Sequence, residues 1–350
     1  MKILLISNMF PNEEFPFYGT FVRNFEKGLI NEGIAIEKVV LYKKKNAFTK
    51  ICSYIKFFFK IFIKYFKDDF DLVYIHYPTY SGLPFIGMVT KKKIVLNYHG
   101  SDLIYQNFRQ KILGRIVNSR LTRKASYIVV PSEYYKNILI QMYNYISEKS
   151  IIVSPSGGVN TQVFKPNNLC VNNKKFVIGF VSRINRNKGW EIFLDALSLI
   201  SEIEFEAIIV GMGEDEEKLK QKIDEHRFKN SISYLGPKSQ EDLVALYNSF
   251  DIFVFPSKQE SLGLVGLEAM ACGVPVIGSN IPAITSYIID GYNGYLFNCE
   301  DKKSLSEKIM TYYNLNDNEK ISIKKNALEK SLSFDAMEVN RKLAKKIRDM

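Results

Sequence analysis

The chain has 350 residues, 46% of them hydrophobic, and a formal net charge of +11 at pH 7. That length suits two domains of ordinary size, and the apolar fraction is ample for two buried cores. No run approaches the ~18 uncharged apolar residues of a spanning helix, and MKILLISNMF lacks the form of a secretory leader, so an integral membrane protein is excluded and a soluble or peripheral one expected.

Residues 1–170 carry 24 Lys/Arg against 11 Asp/Glu, and residues 171–350 carry 24 against 26. The basic excess therefore belongs to the first half, where an anionic membrane surface or a nucleic acid would account for it. Cys52, Cys170, Cys272 and Cys299 show no metal-ligand spacing and read as reduced thiols of a cytosolic protein.

Apolar β-rich runs alternate with helical patterns from the start. KILLIS (2–7) reads as a strand, and GTFVRNFEKGLINEG follows as a helix whose Phe21, Phe25 and Leu29 recur every four residues. The stretch KNAFTKICSYIKFFFKIFIKYFKDD (45–69) predicts a helix with Lys50, Lys56, Lys60, Lys64 and Lys67 within about a third of a turn and phenylalanines around the rest. Two readings fit it. Either the aromatics are buried on a sheet and the lysines solvated, or the helix lies on anionic lipid with phenylalanines in the interface. DLVYIHY (71–77), KIVLNYH (93–99) and YIVVPS (127–132) are the next strands, with Arg109, Lys111, Arg115, Arg120, Arg123 and Lys124 adding positive charge before the last.

The polar segment NTQVFKPNNLCVNNKK (160–175) reads as a linker, after which the scheme restarts. FVIGFVS (176–182), FEAIIVG (205–211), ISYLG (232–236), DIFVFPS (251–257) and PVIGS (275–279) are its strands, and GWEIFLDALSLI sets Trp190, Phe193, Leu194 and Leu197 on one helical face. Fully apolar strands alternating with helices predict an α/β fold with parallel sheets covered on both sides. In such sheets ligands bind beyond the carboxyl ends of the strands, so the loops there should carry the chemistry.

Two of those loops have suitable residues. RINRNKG, after FVIGFVS, brings Arg183 and Lys188 to a helix start, an arrangement that suits a diphosphate, although a solvated basic loop would look the same. In KQESLGLVGLEAMACGVPVI (258–277) a helix is predicted from about Gly263 to Gly273, with Glu260 just before it and Glu268 on its ligand-facing side. A carboxylate accepts two hydroxyl hydrogen bonds at once, so two of them flanking a phosphate site suit a nucleotide sugar. The plainer alternative is one glutamate complementing the helix dipole and another in solvent.

Other signals are weaker. Asp69-Phe-Asp71 precedes a strand rather than following one, so it reads as turn chemistry and no metal site is expected. Gly211-Met-Gly213 lacks the third glycine of a dinucleotide fingerprint. His76 and His226 read as structural, while His99 closes a strand in the motif HGSD.

The run of motifs resembles the retaining glycosyltransferases of the GT-B group called family 4. The resemblance rests on SRINRNKG (182–189), VGMGEDEEKL (210–219), YLGPKSQEDLVALYNSFDIFVFPS (234–257), the span from Glu260 to Glu268, EAMACGVPVIGS (268–279) and IIDGYNGYLF (288–297). SGGVNTQVFKP (156–166) is similar to the segment that enters the family's second domain. In the first half the likeness is confined to the N-terminal loop through Gly19 and to NYHGSD (97–102).

The resemblance implies the GT-B architecture, two Rossmann-like doubly wound parallel-sheet domains facing a central cleft. Residues 1–165 would bind the acceptor and 172–335 the donor, with 336–350 a terminal helix packing back toward the first domain. It implies that Arg183 and Lys188 hold the donor diphosphate together with the backbone of Ser261, Leu262 and Gly263. Glu268 would bind the ribose, Glu260 the sugar hydroxyls, and His99 the sugar near its reacting carbon. Gly236, Pro237 and Lys238 would lie beside the base. Gly19 and Asp102 fall in the acceptor-side loops, with Tyr18 where the family often has a second glycine.

The function so implied is retaining transfer of a hexose-type sugar from a UDP or GDP sugar to a lipid-linked saccharide. The setting would be bacterial-type assembly of O-antigen, capsule or exopolysaccharide, with no metal or other cofactor and no nucleic-acid partner. The enzyme would be cytoplasmic, peripheral on the inner face of the cell membrane, with Lys56, Lys60 and Lys64 toward an anionic lipid surface. Two alternatives remain open at this point: a nucleotide-sugar epimerase of the same fold, and a non-catalytic sugar- or nucleic-acid-binding protein.

Overall fold

The computed structural model describes residues 1–16, 18–67, 69–105, 107–167 and 175–350. Cys170 and most of the end of the expected linker lie outside the described residues, as does the side chain of Arg109. In the first half, β1 (Lys2–Phe10), α1 (Thr20–Asn31), β2 (Ala35–Tyr42) and α2 (Ala47–Lys67) come first. They are followed by β3 (Leu72–His76), α3 (Pro78–Ser81), β4 (Lys93–Asn97), α4 (Phe108–Thr122), β5 (Tyr127–Val130), α5 (Glu133–Met142) and β6 (Ile151–Val153).

The second half begins with β7 (Phe176–Val181), α6 (Trp190–Leu197), β8 (Phe205–Val210), α7 (Glu216–Asp224) and β9 (Ile232–Tyr234). Next come α8 (Gln240–Ser249), β10 (Ile252–Phe255), α9 (Leu264–Ala271), β11 (Val276–Ser279), α10 (Pro282–Thr285) and β12 (Gly294–Phe297). Three helices close the chain: α11 (Lys302–Tyr313), α12 (Asp317–Leu332) and α13 (Ala336–Arg348).

The chain divides into two compact units, Met1–Gly158 with Ala336–Met350, and Val159–Asp335. Each is built on a six-stranded parallel sheet, in the orders β2-β1-β3-β4-β5-β6 and β12-β11-β10-β7-β8-β9. The inner strands are apolar on both faces because helices cover both. In the first unit α2, α4 and α5 pack on one face through Phe57, Ile61, Val117, Leu121 and Leu139. On the other face α1 and α13 share a core of Ile3, Leu5, Val22, Phe25, Leu343 and Ile347.

The boundary between units differs from the expected linker. Val159 donates its N–H to the Phe334 carbonyl at 2.8 Å, and Phe164 is buried against Tyr247. The polar stretch hides apolar positions that belong to the second core, so that unit starts at Val159. Strands β2, β6 and β12 also go beyond the sequence reading, and all three lie at sheet edges.

Candidate active site

In the second unit the strand order reverses between β7 and β10, which pair directly (Ile252 with Ile178, Phe253 with Gly179). Loops on either side of such a reversal diverge and leave a crevice at the carboxyl end of the sheet. Arg183 and Lys188 follow β7, and residues 258–263 follow β10. The two loops are fastened together: Lys258 donates its N–H to the Asn187 carbonyl at 2.8 Å, and a Cβ on Gly189 would come within 2.0 Å of the Pro256 oxygen. Lys188 ends a short 3-10 turn (Arg186–Lys188) that the Asn185 side chain caps. From there its ammonium forms an ion pair with the Glu260 carboxylate, both side chains being largely buried. Arg183, earlier in the same loop, is exposed.

Helix α9 starts after Gly263, which takes φ 85 in the left-handed region that favours glycine. The side a Cβ would occupy is filled by the Phe255 ring at 2.5 Å and the Tyr287 hydroxyl at 3.2 Å. Tyr287 in turn donates to the Gly263 carbonyl at 3.3 Å. Gly263 therefore serves close packing of α9 on β10. Leu262 is a core side chain, so only its backbone is available to a ligand, while Ser261 is half-buried.

Glu268 lies half-buried on α9 and accepts a hydrogen bond from the buried Tyr247 hydroxyl at 3.2 Å. Burial pushes its carboxyl up to about 7, against the lowering effect of that hydroxyl. Gly236, Pro237 and Lys238 follow the edge strand β9, and the Gly236 carbonyl accepts the Gly211 N–H at 2.9 Å. The Gly211-Met-Gly213 pair has a packing explanation. Cβ atoms there would come within 1.8 Å of the Ser182 oxygen and 2.0 Å of the Ile184 oxygen, so glycine lets the β7 and β8 loops touch.

In the first unit the sheet order reverses between β1 and β3, and three predicted residues sit at that end. Gly19, at φ 79, is the residue before α1. His99, just past β4, stacks on Tyr77 at 4.9 Å and on His76 at 5.1 Å, with Phe21 at 4.5 Å. Its Nε2 lies 2.8 Å from Nδ1 of His76. The other nitrogen of His76 is buried with no hydrogen-bond partner among the described residues. A bare lone pair is the less costly orphan, so His76 carries its proton on Nδ1 and donates to His99, which then bears its own proton on Nδ1. Burial depresses His99 to about 3 and His76 well below its usual range, so both rings are neutral.

Asp102, expected in an acceptor-side loop, is turned inward. It is 4% exposed, and its Oδ1 accepts the His99 N–H at 2.9 Å, bracing the loop that carries the imidazole. Burial raises its carboxyl to about 7. The sequence reading took His76 as structural and could not show its pairing with His99: it ends an apolar strand, and its partner is 23 positions away.

The remaining predicted positions divide. Lys56 and Lys60 are exposed on α2, whereas Lys64 is ion-paired with Glu37 of β2. Of the basic cluster, Lys124 donates to the carbonyls of Phe85, Ile86 and Met88, each at 2.9 Å, and Arg123 stacks over Tyr145. Asp71 accepts the Lys2 N–H at 2.7 Å and Asp69 pairs with Lys92, so both brace strand starts. His226 bonds to Ser198 and the Leu194 carbonyl within its own unit. No helix among the described residues is long and apolar enough to cross a membrane.

Residues 162–330 match the family model for glycosyl transferases group 1, and residues 20–162 that for glycosyltransferase family 4. An uncharacterised glycosyltransferase of Methanocaldococcus jannaschii is 30% identical over 276 residues, 77% of this chain and 72% of that protein. An uncharacterised 41.2 kDa protein in the cps region of Klebsiella pneumoniae is 27% identical over 269 residues, 71% of each. The crystal structure of HepE from Anabaena in complex with UDP-glucose has a TM-score of 0.79 at 20% identity, covering 100% of both chains, so the two share a fold.

Proposed function

The chain belongs to the family 4 glycosyltransferases of GT-B fold, and on that premise we propose that it moves one hexose from a UDP or GDP sugar to a lipid-linked saccharide, with retention at the anomeric carbon and without a metal. The observation that carries the reading is the Lys188–Glu260 pair, on the two loops that meet at the β7/β10 reversal, the first of which also bears Arg183. A nucleotide sugar needs cations for its diphosphate and carboxylates for its hydroxyls, side by side, and these loops supply both.

When the nucleoside diphosphate leaves C1, negative charge grows on its phosphate. Arg183, Lys188 and the N-terminal end of α9 with residues 261–263 stabilise that charge. Glu260 holds the sugar hydroxyls and Glu268 the ribose, for which Glu268 must ionise. Neutral His99 donates from Nδ1 to the sugar, and the departing phosphate takes the proton of the attacking acceptor hydroxyl. Gly236, Pro237 and Lys238 contact the base through their backbone.

The UDP-glucose complex of HepE supports a uridine donor, and the likeness to a protein of a cps region supports a role in surface polysaccharide. Such an acceptor is membrane-bound, which puts the working enzyme on the anionic inner face of the cell membrane. A thermal-shift screen of UDP-, GDP- and ADP-sugars tests the donor assignment. One donor class should raise the melting temperature in proportion to the logarithm of its concentration. No shift with any of them rejects the reading.

A further inference from the structure

Helix α2 carries more apolar surface than the core of its unit uses. Phe57, Ile61 and Tyr65 are buried, yet Phe48, Ile51, Ile55, Phe59, Phe62 and Phe66 are each more than half exposed. On a helical wheel these six fall within about 80°, with Lys56, Lys60 and Lys67 along one border of the strip. Helix α4 repeats the arrangement: Phe108, Ile112 and Ile116 are exposed at four-residue spacing, with Lys111 and Arg115 on one side and Arg120 on the other. Both helices cover the same face of the sheet and enter the same core cluster. Neither contains a single Asp or Glu.

We propose that this face of the first unit docks on an anionic lipid bilayer, with the apolar strips of α2 and α4 inserted at the interface and the flanking cations over the headgroups. This deepens the proposed function by naming the surface through which the enzyme reaches a membrane-bound acceptor, and rests on that reading only for the acceptor. Charge and apolarity together select the occupant. A second copy would oppose two acid-free cationic helix pairs, and a nucleic acid would engage the cations while leaving large phenylalanines in water. A bilayer interface satisfies both, since it combines negative headgroups with an apolar layer.

Co-sedimentation with vesicles, without donor, tests the proposal. The full chain should bind phosphatidylglycerol-containing vesicles at least about tenfold more tightly than pure phosphatidylcholine, and part of that binding should survive about 0.5 M salt, because insertion is not screened. Combined Phe59→Ser, Phe62→Ser and Phe66→Ser, or Phe108→Ser with Ile112→Ser, should lower binding at least about tenfold at low and high salt alike. Combined Lys56→Gln, Lys60→Gln and Lys67→Gln should lower it mainly at low salt. The proposal is overturned if the unmodified protein stays in the supernatant, if the apolar variants bind as it does, or if those substitutions instead dissociate a dimer. Nucleoside diphosphate affinity, measured on every variant, reports that each is folded. Its absence from the unmodified protein would sink the donor reading and leave the vesicle result intact.

Discussion

Lys188 and Glu260, 72 positions apart, are held as an ion pair because the loops after β7 and β10 are neighbours at the strand-order reversal. In this state each group occupies the other. On the proposed reading, donor binding exchanges that contact for phosphate on the lysine and hydroxyls on the carboxylate. Glu260→Gln should therefore keep or improve affinity for bare UDP or GDP while turnover falls about 10²–10³-fold. Lys188→Ala should weaken the bare nucleotide and slow turnover together. Calorimetry and steady-state rates on the two variants decide it, and equal loss of nucleotide affinity would refute the division of labour.

Glu268 predicts a pH dependence. Its carboxyl sits near 7 against an ordinary value of 4.5, so the ligand-free folded chain holds a proton that the unfolded chain has lost between those values. Folding stability contributed by this group is full below about 4.5 and declines as pH rises toward 7. Ribose hydroxyls need the ionised form, so nucleotide affinity should climb from pH 6 to 8. Glu268→Gln should bind about tenfold more weakly and lose that slope, relative to which ionisation of the nucleotide itself cancels. A parallel slope in the variant would remove Glu268 from the site.

His76 should act as a positioning residue for His99. His76→Asn can present a donor where Nδ1 stood, and His76→Ala cannot. The alanine variant should lose about tenfold in kcat and the asparagine variant much less, with bare-nucleotide affinity unchanged in both. Indistinguishable kcat values for the two, at matched melting temperature, would show that the imidazole pair is only packing.

Charge stabilisation by Arg183, Lys188 and the end of α9 predicts transfer that persists in EDTA. Asp71→Ala should cost about 1 kcal/mol of stability, through the lost acceptor of the Lys2 N–H, and Asp69→Ala almost nothing. Neither should alter kcat. Loss of transfer in EDTA with recovery in Mn²⁺ would contradict the metal-free assignment.

Strands such as IFVF are legible because burial on both faces makes them apolar throughout. The edge strand β2 is not: AIEKVVLY interleaves Glu37 and Lys38 with apolar residues because much of it stays exposed. The cations and carboxylates of the second unit could be read from their place after strands. Their pairing could not, since it depends on β7 and β10 being neighbours. For α2 the sequence shows which side chains share a face, but which face meets the sheet is decided by packing.

Helix α13 is translated after the whole second unit, yet it completes the core of the first. On the ribosome the first unit must therefore wait, with the part of its core that α1 shares with α13 uncovered, while residues 159–335 are made, roughly 10–35 s at ordinary elongation rates. The second unit, continuous in sequence, can finish folding in that interval. Folding thus finishes in the order opposite to synthesis, and the nascent chain has an aggregation-prone stage that ends only when Leu343 and Ile347 leave the exit tunnel.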